Sequence, residues 1–569
     1  MTERARPILW GWGEPGARGL AAACLIVGVV SIVFFLDYAG FPTEPARYRV
    51  LQYLVATQDV HAALVLMGLV LLAGISSSRV PALRLLDFIA RHPWKVAAIA
   101  FGALCLGALY VEHNHPLAQD EYAALFQSRV FAAGRLTGRF PPELLGHLIP
   151  PIYLNQFLYG SFATGEVASA YWPGFALLLA PFSFLHVPWA CNPLLASLAL
   201  VLMAKIATRL GGEPRAGGWA MLLALASPGF TGMALTYFSM TAHLLLNLVF
   251  AWLLLERTPR RLMLAGAVGS LALLLHNPLP HTLFALPWIA WLALQPTRRR
   301  DLLALAAGYA PATALVGLGW PIVLAGLQGN ANIGLFPFDD NPFHRLVNFF
   351  WGWHIKLRTA LAMPSEDVRA TRLVEMLRLW NWAVPGLALL AAAGWWLKRH
   401  NPVVLLLGAS LLATAAGYLF IGFTQGYGWG ARYFHPAWGA LPVLAALALA
   451  HRRDEGQSHP LARYVASLAV LSLVFATGLR AIQIDRFVTA HLALRPPLVA
   501  DARQVVLVTY DWWNYAQDLV QNDPFLRDSV WYMQSFGEAR NADFVRARFP
   551  GAQRVFRDSR GEVWRLPPH

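Results

Sequence analysis

The stretch RGLAAACLIVGVVSIVFFL, from Arg18 to Leu36, has no charged residue after its first position. A helix of about 20 apolar residues is the length that crosses the hydrocarbon core of a bilayer. The rest of the chain repeats this pattern, because 57% of its 569 residues are hydrophobic and only 13% are charged. A soluble protein carries about 25% charged residues. The composition therefore predicts a polytopic membrane protein and excludes a soluble enzyme of several domains.

Long apolar runs recur along the chain and predict about thirteen membrane-spanning helices, so the predicted fold class is mainly α. The first run lacks a small-residue cleavage site and a second run follows it, so we interpret it as a retained helix rather than a signal peptide. The three cysteines fall inside apolar runs, which indicates no disulfide framework or thiolate metal site. The runs extend over residues 18–36, 61–74, 96–111, 189–208, 217–235, 241–255, 262–275, 281–294, 302–327, 382–397, 403–423, 437–450 and 461–479.

The net charge of +14 comes from an excess of Arg and Lys. In membrane proteins these residues accumulate in cytoplasmic loops, so we exclude nucleic acid as a partner. The basic loops alternate consistently if residues 171–187, which contain Pro173 and Pro181, lie in the interface or re-enter on the outer face. The predicted protein is then a multi-pass protein of the plasma (inner) membrane, with a cytoplasmic amino terminus and an extracytoplasmic carboxyl terminus.

Composition divides the chain into three parts. Residues 1–95 are predicted to form two transmembrane helices and a basic cytoplasmic loop. Residues 96–480 form a transmembrane core whose outer loops are 112–188, 328–379 and 424–436. Within residues 481–569 the apolar runs shorten to strand length, which predicts a small extracytoplasmic α/β domain of roughly 75 residues.

The residues suited to chemistry are concentrated in the outer loops. Asp120 and Glu121 follow the third span, where burial raises a carboxylate's pKa unless a cation or metal balances it. Such a pair can act as a base or bind an ion, but carboxylates are also ordinary in solvated loops. The residues after this pair, through Leu136, predict an interfacial amphipathic helix. Its lipid-facing residues would be Leu125, Val130 and Phe131, and its headgroup-facing residues would be Gln127, Ser128 and Arg129. Asp339 and Asp340 fit either a divalent-ion site or a turn.

Three motifs resemble the GT-C superfamily of membrane glycosyltransferases, and most of all family 39 and its bacterial relatives. In protein O-mannosyltransferases and lipid A aminoarabinose transferases an Asp-Glu pair opens the first large outer loop, as Asp120–Glu121 does here. The stretch YWPGFALLL, residues 171–179, is similar to their Tyr-Pro-Pro-Gly element before leucines. GWGARY, residues 428–433, is similar to a Gly-x-Arg-Tyr stretch on a late outer loop. The Glu-Lys-Pro-Pro sequence of aminoarabinose transferases is absent.

The resemblance implies a GT-C-like catalytic core over residues 96–480 and transfer of a sugar, with inversion, from a polyprenyl-phosphate donor in the outer leaflet. The acceptor is a glycan, a lipid or a protein. The family's catalytic Asp corresponds to Asp120, with Glu121 beside it. Arg432 offers the planar donor fork that suits a phosphate, with Lys356, Arg358 and Arg345 as further candidates. Candidates for the sugar or acceptor cavity are Tyr171, Trp172, Tyr427, Trp429, Tyr433, His276 and His281.

Family 39 relatives do not generally rely on a metal, whereas other GT-C enzymes do. The resemblance therefore implies no required cofactor and leaves a divalent metal open. The same hydropathy also fits a secondary transporter or lipid flippase of the cell envelope. Transporters commonly have repeated halves and charged residues in mid-span, whereas here the ionisable residues concentrate at the outer face.

Overall fold

The computed structural model describes residues 15–40, 50–76, 82–295, 299–327, 341–360, 366–422, 425–451, 460–500, 502–509 and 516–567. Helices make up most of this part of the chain, and two short sheets complete it. The predicted Asp339–Asp340 pair lies outside the described residues.

The helices are α1 (Pro15–Ala39), α2 (Val50–Leu54), α3 (Val60–Ser76), α4 (Ala82–Arg91), α5 (Pro93–Tyr110), α6 (Gln119–Ala132), α7 (Leu145–Leu148), α8 (Gly174–Phe184), α9 (Cys191–Gly211), α10 (Pro214–Leu225), α11 (Pro228–Met233), α12 (Met240–Leu253), α13 (Pro259–Leu273), α14 (Leu279–Ala293), α15 (Arg299–Leu327), α16 (Pro342–Ala360), α17 (Glu366–Asn381), α18 (Leu387–Leu397), α19 (Pro402–Leu419), α20 (His435–Trp438), α21 (Ala440–His451), α22 (Pro460–Leu471), α23 (Thr477–Leu492) and α24 (Glu538–Arg548). Two π-helical turns, Val55–Asp59 and Ser472–Ala476, join α2 to α3 and α22 to α23.

Among the described residues, seven continuous helices are long and apolar enough to cross a membrane. The helices Arg432–Trp438 and Ala440–Ala450 form a bent pair that fits either a broken eighth span or a re-entrant loop. Four shorter apolar helices, α8, α12, α14 and α18, accompany them. Because lipid offers no hydrogen-bond partners, only structures that satisfy their own backbone can cross it. The predicted multi-pass helical architecture is confirmed, and the count of thirteen spans stays a prediction.

Glycines allow a close helix crossing between α13 and α15. A Cβ at Gly266 would lie 2.1 Å from the carbonyl oxygen of Leu305, and one at Gly308 would lie 2.0 Å from that of Met263. Small residues permit such backbone contact in membranes, where association depends on packing rather than on expulsion of water.

Two sheets lie in the segments outside the long apolar helices. The first has the antiparallel order β1-β3-β2, from β1 (Gly138–Arg139), β2 (Leu158–Gly160) and β3 (Glu166–Ser169). The second has the order β5-β4-β7-β6, from β4 (Gln504–Val508), β5 (Val530–Gln534), β6 (Gln553–Asp558) and β7 (Gly561–Arg565), with β4 and β5 parallel. This sheet and α24 confirm the α/β character predicted after the last span. Helix α23 continues to Leu492, past the predicted start of that domain.

The predicted interfacial helix after Asp120 exists as α6, but the interfacial placement is wrong. Leu125 and Val130, expected to face lipid, and Gln127 and Ser128, expected to face headgroups, are all buried. The reason is that both faces of α6 are covered. Helix α8 packs along one side, and the carboxyl-terminal sheet shares a hydrophobic core with Phe126 on another.

The carboxyl-terminal sheet is anchored to the first outer loop by hydrogen bonds as well as by this core. The hydroxyl of Tyr122 donates to the backbone oxygen of Asn522 and accepts from its backbone N–H, at 2.8 Å each. The backbone N–H of Arg139 donates to the oxygen of Pro524 at 2.9 Å. These contacts place the sheet beside the start of α6, where Asp120 lies.

Candidate active site

Asp120 lies in the first turn of α6 because its neighbour Glu121 fixes the start of that helix. Glu121 Oε2 accepts hydrogen bonds from the backbone N–H groups of Leu117 and Ala118, at 3.1 and 3.3 Å. A carboxylate three residues into a helix can satisfy N–H groups that have no partner within the helix. This arrangement holds Asp120 at a defined position on the outer loop.

Glu121 itself does not face the cavity that Asp120 lines. Its Oε1 accepts the backbone N–H of Tyr237 at 2.8 Å, so both oxygens bind backbone groups, and the residue is fully buried. Burial raises its pKa to about 7, against the opposing effect of these hydrogen bonds. The adjacent loop carries a second buried carboxyl, that of Glu112. Burial raises the pKa of Glu112 well above its usual range, and the charge of Glu121 raises it further.

The Asp120 carboxylate meets a cation and a phenol from two other segments. Its Oδ2 lies 3.1 Å from Nη1 of Arg432, and its Oδ1 accepts a hydrogen bond from the Tyr171 hydroxyl at 3.3 Å. The Asp120 side chain is 17% exposed and that of Arg432 is 8% exposed. A carboxylate that is paired but still reachable from the cavity can exchange partners when a ligand enters.

The glycine-rich loop before Arg432 holds this residue in place. Gln425 bridges the loop, because its Oε1 accepts the backbone N–H of Arg432 at 3.0 Å and its Nε2 donates to the oxygen of Gly430 at 2.9 Å. Gly428 has a φ of +131°, and a Cβ there would lie 3.1 Å from Cδ of Arg432. A side chain at position 428 would therefore strain the backbone and press on Arg432.

The Arg432 guanidinium lies 4.4 Å above the ring of Phe238, measured from Cζ to the ring centroid. Its Nε is buried and has no hydrogen-bond partner among the described residues. Buried polar groups are nearly always paired, so an unpaired guanidinium N–H beside a cavity marks a position suited to an anionic ligand.

The cavity itself has a volume of about 370 Å³, including the part open to solvent. His276 stacks on Tyr171 at 3.8 Å between ring centroids, and burial lowers the pKa of its imidazole to about 4. At neutral pH it is therefore an uncharged donor or acceptor. Trp172 is fixed by its backbone N–H, which donates to the oxygen of His276 at 3.2 Å. The lining includes Asp120, Ser169, Tyr171, Trp172, Ser239 and His276.

Other predicted cavity residues are held elsewhere. Trp429 is buried, stacks on Trp382 and donates to Glu112, while Tyr427 is buried against Phe487 and His491. His281 joins a polar group inside the helices, with Nδ1 2.7 Å from Asn247 Oδ1 and Nε2 2.6 Å from the Tyr309 hydroxyl. Tyr433 adjoins Arg432 and stacks on Tyr418 at 4.9 Å.

The further phosphate candidates belong to α16. Arg358 is exposed, Arg345 is partly buried, and the side chain of Lys356 lies outside the described part of the chain. Helix α16 reaches the cavity through Trp353, whose ring packs edge-on against Trp172 at 5.1 Å. Within the described ranges, no three His, Cys, Asp or Glu side chains are grouped so as to hold a metal ion.

Some site residues have no signal in the sequence. Phe238 and Ser239 lie between two apolar runs and carry no motif, yet both line the cavity. Gln425 precedes the glycine-rich loop, and only the structure identifies it as the bridge. Asp518 of the carboxyl-terminal domain is buried beside α6, and burial raises its pKa well above the usual range, with Asp120 adding to the effect.

The chain matches no protein-family model and no curated protein. Its fold is similar to the crystal structure of ArnT from Cupriavidus metallidurans bound to undecaprenyl phosphate, with a TM-score of 0.50 and 13% identity. That match covers 83% of this chain and 99% of the other. The apo structure of the same protein gives a TM-score of 0.42 at 12% identity. This similarity shows the fold: the chain has an ArnT-like, mainly helical polytopic fold, in agreement with the expectation from its sequence.

Proposed function

We propose that the protein is an inverting glycosyltransferase that moves a sugar from a polyprenyl-phosphate donor to an acceptor at the outer face of the plasma (inner) membrane. The observation that carries the proposal is the ion pair between Asp120, which lines the cavity, and Arg432, which packs on Phe238 at its edge and keeps an unpaired Nε. Tyr171 donates a hydrogen bond to the same carboxylate. The GT-C fold and the undecaprenyl phosphate bound by ArnT support it.

In an inverting displacement the acceptor oxygen attacks the anomeric carbon from the face opposite the leaving phosphate. Asp120 takes the acceptor's proton as general base, a role that requires hydrogen-bond reach. The C1–oxygen bond to phosphate breaks, and polyprenyl phosphate leaves with the electron pair. Arg432 donates N–H bonds to the phosphate oxygens as their negative charge grows.

The direct contact between base and guanidinium belongs to the resting state in this proposal. Base and leaving phosphate lie on opposite sides of the sugar, so one guanidinium cannot serve both in the transition state. The donor phosphate therefore replaces the Asp120 carboxylate as the ionic partner of Arg432. The carboxylate is then free to accept the proton. Phe238 supports the guanidinium during this exchange through its ring face.

The proposed topology places the basic helix ends on the cytoplasmic side. Near the start of α9, Asn192 Nδ2 donates to the backbone oxygens of Thr236 and Phe238 beside the cavity, at 2.6 and 2.8 Å. Lys205 and Arg209 lie near the opposite end of this helix of 21 residues, roughly 20–25 Å away at 1.5 Å per residue. Arg and Lys mark the cytoplasmic side, so Asp120 is on the outer side.

The test uses proteoliposomes supplied with undecaprenyl-phosphate-linked hexoses or pentoses and an extract of envelope glycans and lipids. We expect the wild type to release undecaprenyl phosphate and label an acceptor, and the Asp120→Asn variant to do neither. Asp87→Asn is the matched control, because Asp87 pairs with Arg215 away from the cavity. Equal release by wild type and Asp120→Asn would contradict the proposal, as would transport of the donor without its cleavage.

A further inference from the structure

The amino-terminal helices place one carboxylate among two buried guanidiniums. Asp59, in the π-helical turn between α2 and α3, is fully buried. Its Oδ1 accepts a hydrogen bond from Arg480 Nη2 at 2.8 Å, and its Oδ2 lies 2.9 Å from Nε of Arg378. The second contact is an ion pair, since the N–H does not point at the oxygen. Within the described chain, both guanidiniums are almost completely excluded from solvent.

Trp382 contacts both Asp59 and Arg480 in this cluster. Its Nε1 donates to Asp59 Oδ1 at 2.7 Å, and the Arg480 guanidinium lies 3.8 Å above its ring. Removing one partner from a buried ionic group leaves an uncompensated charge, which is costly. Asp59 therefore keeps Arg378 and Arg480 at their places beneath the outer loops.

The cluster contacts the loop that carries Arg432. Arg378 Nη2 donates to the backbone oxygen of Gly428 at 3.4 Å, and Trp382 stacks on Trp429 with ring centroids 6.1 Å apart. Gly430 fits against Trp382 so closely that a Cβ there would lie 3.3 Å from the Trp382 Cβ. Arg432 follows two residues later and meets Asp120.

From these contacts we infer that Asp59 is a positioning residue for Arg432. The helices before residue 82 supply the counter-charge that fixes Arg378, Trp382 and the 428–432 loop, and thereby the distance between Arg432 and Asp120. The inference rests on the proposed function, because it assigns a task to the residues around the donor phosphate. It also gives a task to the helices that precede the predicted catalytic core of residues 96–480.

Two variants separate positioning from folding. Arg378→Met removes the contact to Gly428 and leaves Asp59 and Arg480 as a balanced pair. The triple variant Asp59→Leu/Arg378→Met/Arg480→Met removes every charge in the cluster, and well-packed apolar replacement of a buried ionic group is commonly tolerated. Arg215→Met is the matched control, because that exposed arginine pairs with Asp87 away from the loop.

The measurements are the melting temperature, the Kd for undecaprenyl phosphate and the turnover per folded molecule. We expect both cluster variants to melt near the wild-type temperature and to lose about 10²-fold in turnover, the effect of a displacement of about 1 Å in a reacting group. Their Kd rises as well, whereas Arg215→Met keeps all three values. A purely structural role lowers the yield of folded protein and leaves the per-molecule Kd unchanged.

Wild-type Kd and turnover in both folded variants would overturn the inference. Failure of the charge-free variant to fold would also overturn it, because the cluster would then serve the fold rather than the loop. If the wild type neither binds undecaprenyl phosphate nor releases it from a donor, the proposed function fails instead.

Discussion

Oδ2 of Asp120 lies 3.1 Å from Nη1 of Arg432, where the first turn of α6 meets the glycine-rich loop before Arg432. The two residues are far apart in the chain, and their contact depends on α6, on the glycine-rich loop and on the carboxyl-terminal sheet that packs beside them. In the proposed mechanism Asp120 is the base and Arg432 binds the phosphate, and these are the two charged groups that glycosyl transfer from a lipid phosphate needs.

Replacing Asp120 by Asn removes the proton acceptor and keeps the size of the side chain. We expect transfer to fall by about 10²–10⁴-fold, the usual contribution of general acid–base catalysis. The variant should still express and fold, but its melting temperature should fall, because the buried Arg432 guanidinium loses its counter-charge. Turnover of labelled donor measures the effect, and retention of substantial turnover would remove the base assignment.

Arg432→Ala removes the guanidinium and preserves the Gln425 bridge, which binds backbone rather than side chain. A hydrogen bond to a charged group contributes about 1.5–3 kcal/mol, so the Kd for undecaprenyl phosphate should rise by roughly 10-fold to 150-fold. Gln425→Ala, which loosens the loop, should produce a smaller increase in the same direction. An unchanged Kd in Arg432→Ala would show that another cation binds the phosphate.

Glu121 is expected to act on stability rather than on chemistry. In Glu121→Gln one carboxylate oxygen is replaced by an amide N–H₂ group, which cannot accept the hydrogen bonds that the backbone N–H groups donate to that oxygen. The free energy of unfolding should therefore fall by about 1–3 kcal/mol. Turnover per folded molecule should fall far less than in Asp120→Asn, because the Glu121 carboxylate does not line the cavity and affects Asp120 only through the position of α6. Thermal unfolding together with turnover measures both effects. A large loss of turnover in fully folded protein would return Glu121 to the catalytic role predicted from the sequence.

The pH dependence of stability follows from the raised pKa of Glu121, which burial shifts from 4.5 to about 7. The folded state binds this proton more tightly than the unfolded state does. The stabilising contribution is therefore complete below pH 4.5 and is lost as the pH rises through about 7. Glu112 shifts in the same direction. The buried, uncharged His276 has the opposite effect on the pH dependence of the wild type, because its pKa is lowered to about 4. The comparison therefore isolates Glu121: between pH 5 and pH 8 the melting temperature of the wild type should fall relative to that of Glu121→Gln, and identical slopes would contradict the assignment.

Tyr122→Phe tests how the carboxyl-terminal sheet is anchored. The variant loses both hydrogen bonds to Asn522 and keeps the aromatic packing on Phe126. We expect a destabilisation of about 1–3 kcal/mol, since the backbone groups of Asn522 lose their partner. Limited proteolysis of residues 500–567 should then be faster than in the wild type. Unchanged proteolysis and melting would show that the hydrophobic contacts alone hold the sheet.

The sequence predicts the membrane-spanning helices because an apolar run of sufficient length has one stable solution in lipid. The sequence also identifies four candidate site residues, because each belongs to a short motif: Asp120, Tyr171, Trp172 and Arg432. The structure places these four around one cavity or at its edge. Their chemical roles stay predictions.

The sequence does not predict the direction in which a side chain points. Trp429 and Tyr427 stand in the same glycine-rich loop as Arg432, but their rings turn into the protein. Positive φ at Gly428 and Gly430 sets these directions, and residue spacing alone does not reveal them. Helix α6 has the composition of an interfacial helix, but helix α8 and the distant carboxyl-terminal sheet together bury it. Contacts between remote segments carry no local signal.

The central claim is that Asp120 and Arg432 act together on the donor phosphate-linked sugar. The most direct test of this claim is an experimental density map of the protein with undecaprenyl phosphate bound. We predict the phosphate within hydrogen-bond distance of the Arg432 guanidinium, and the Asp120 carboxylate released from Arg432 and facing the cavity. A phosphate bound away from Arg432, with the Asp120–Arg432 ion pair intact, would contradict the account.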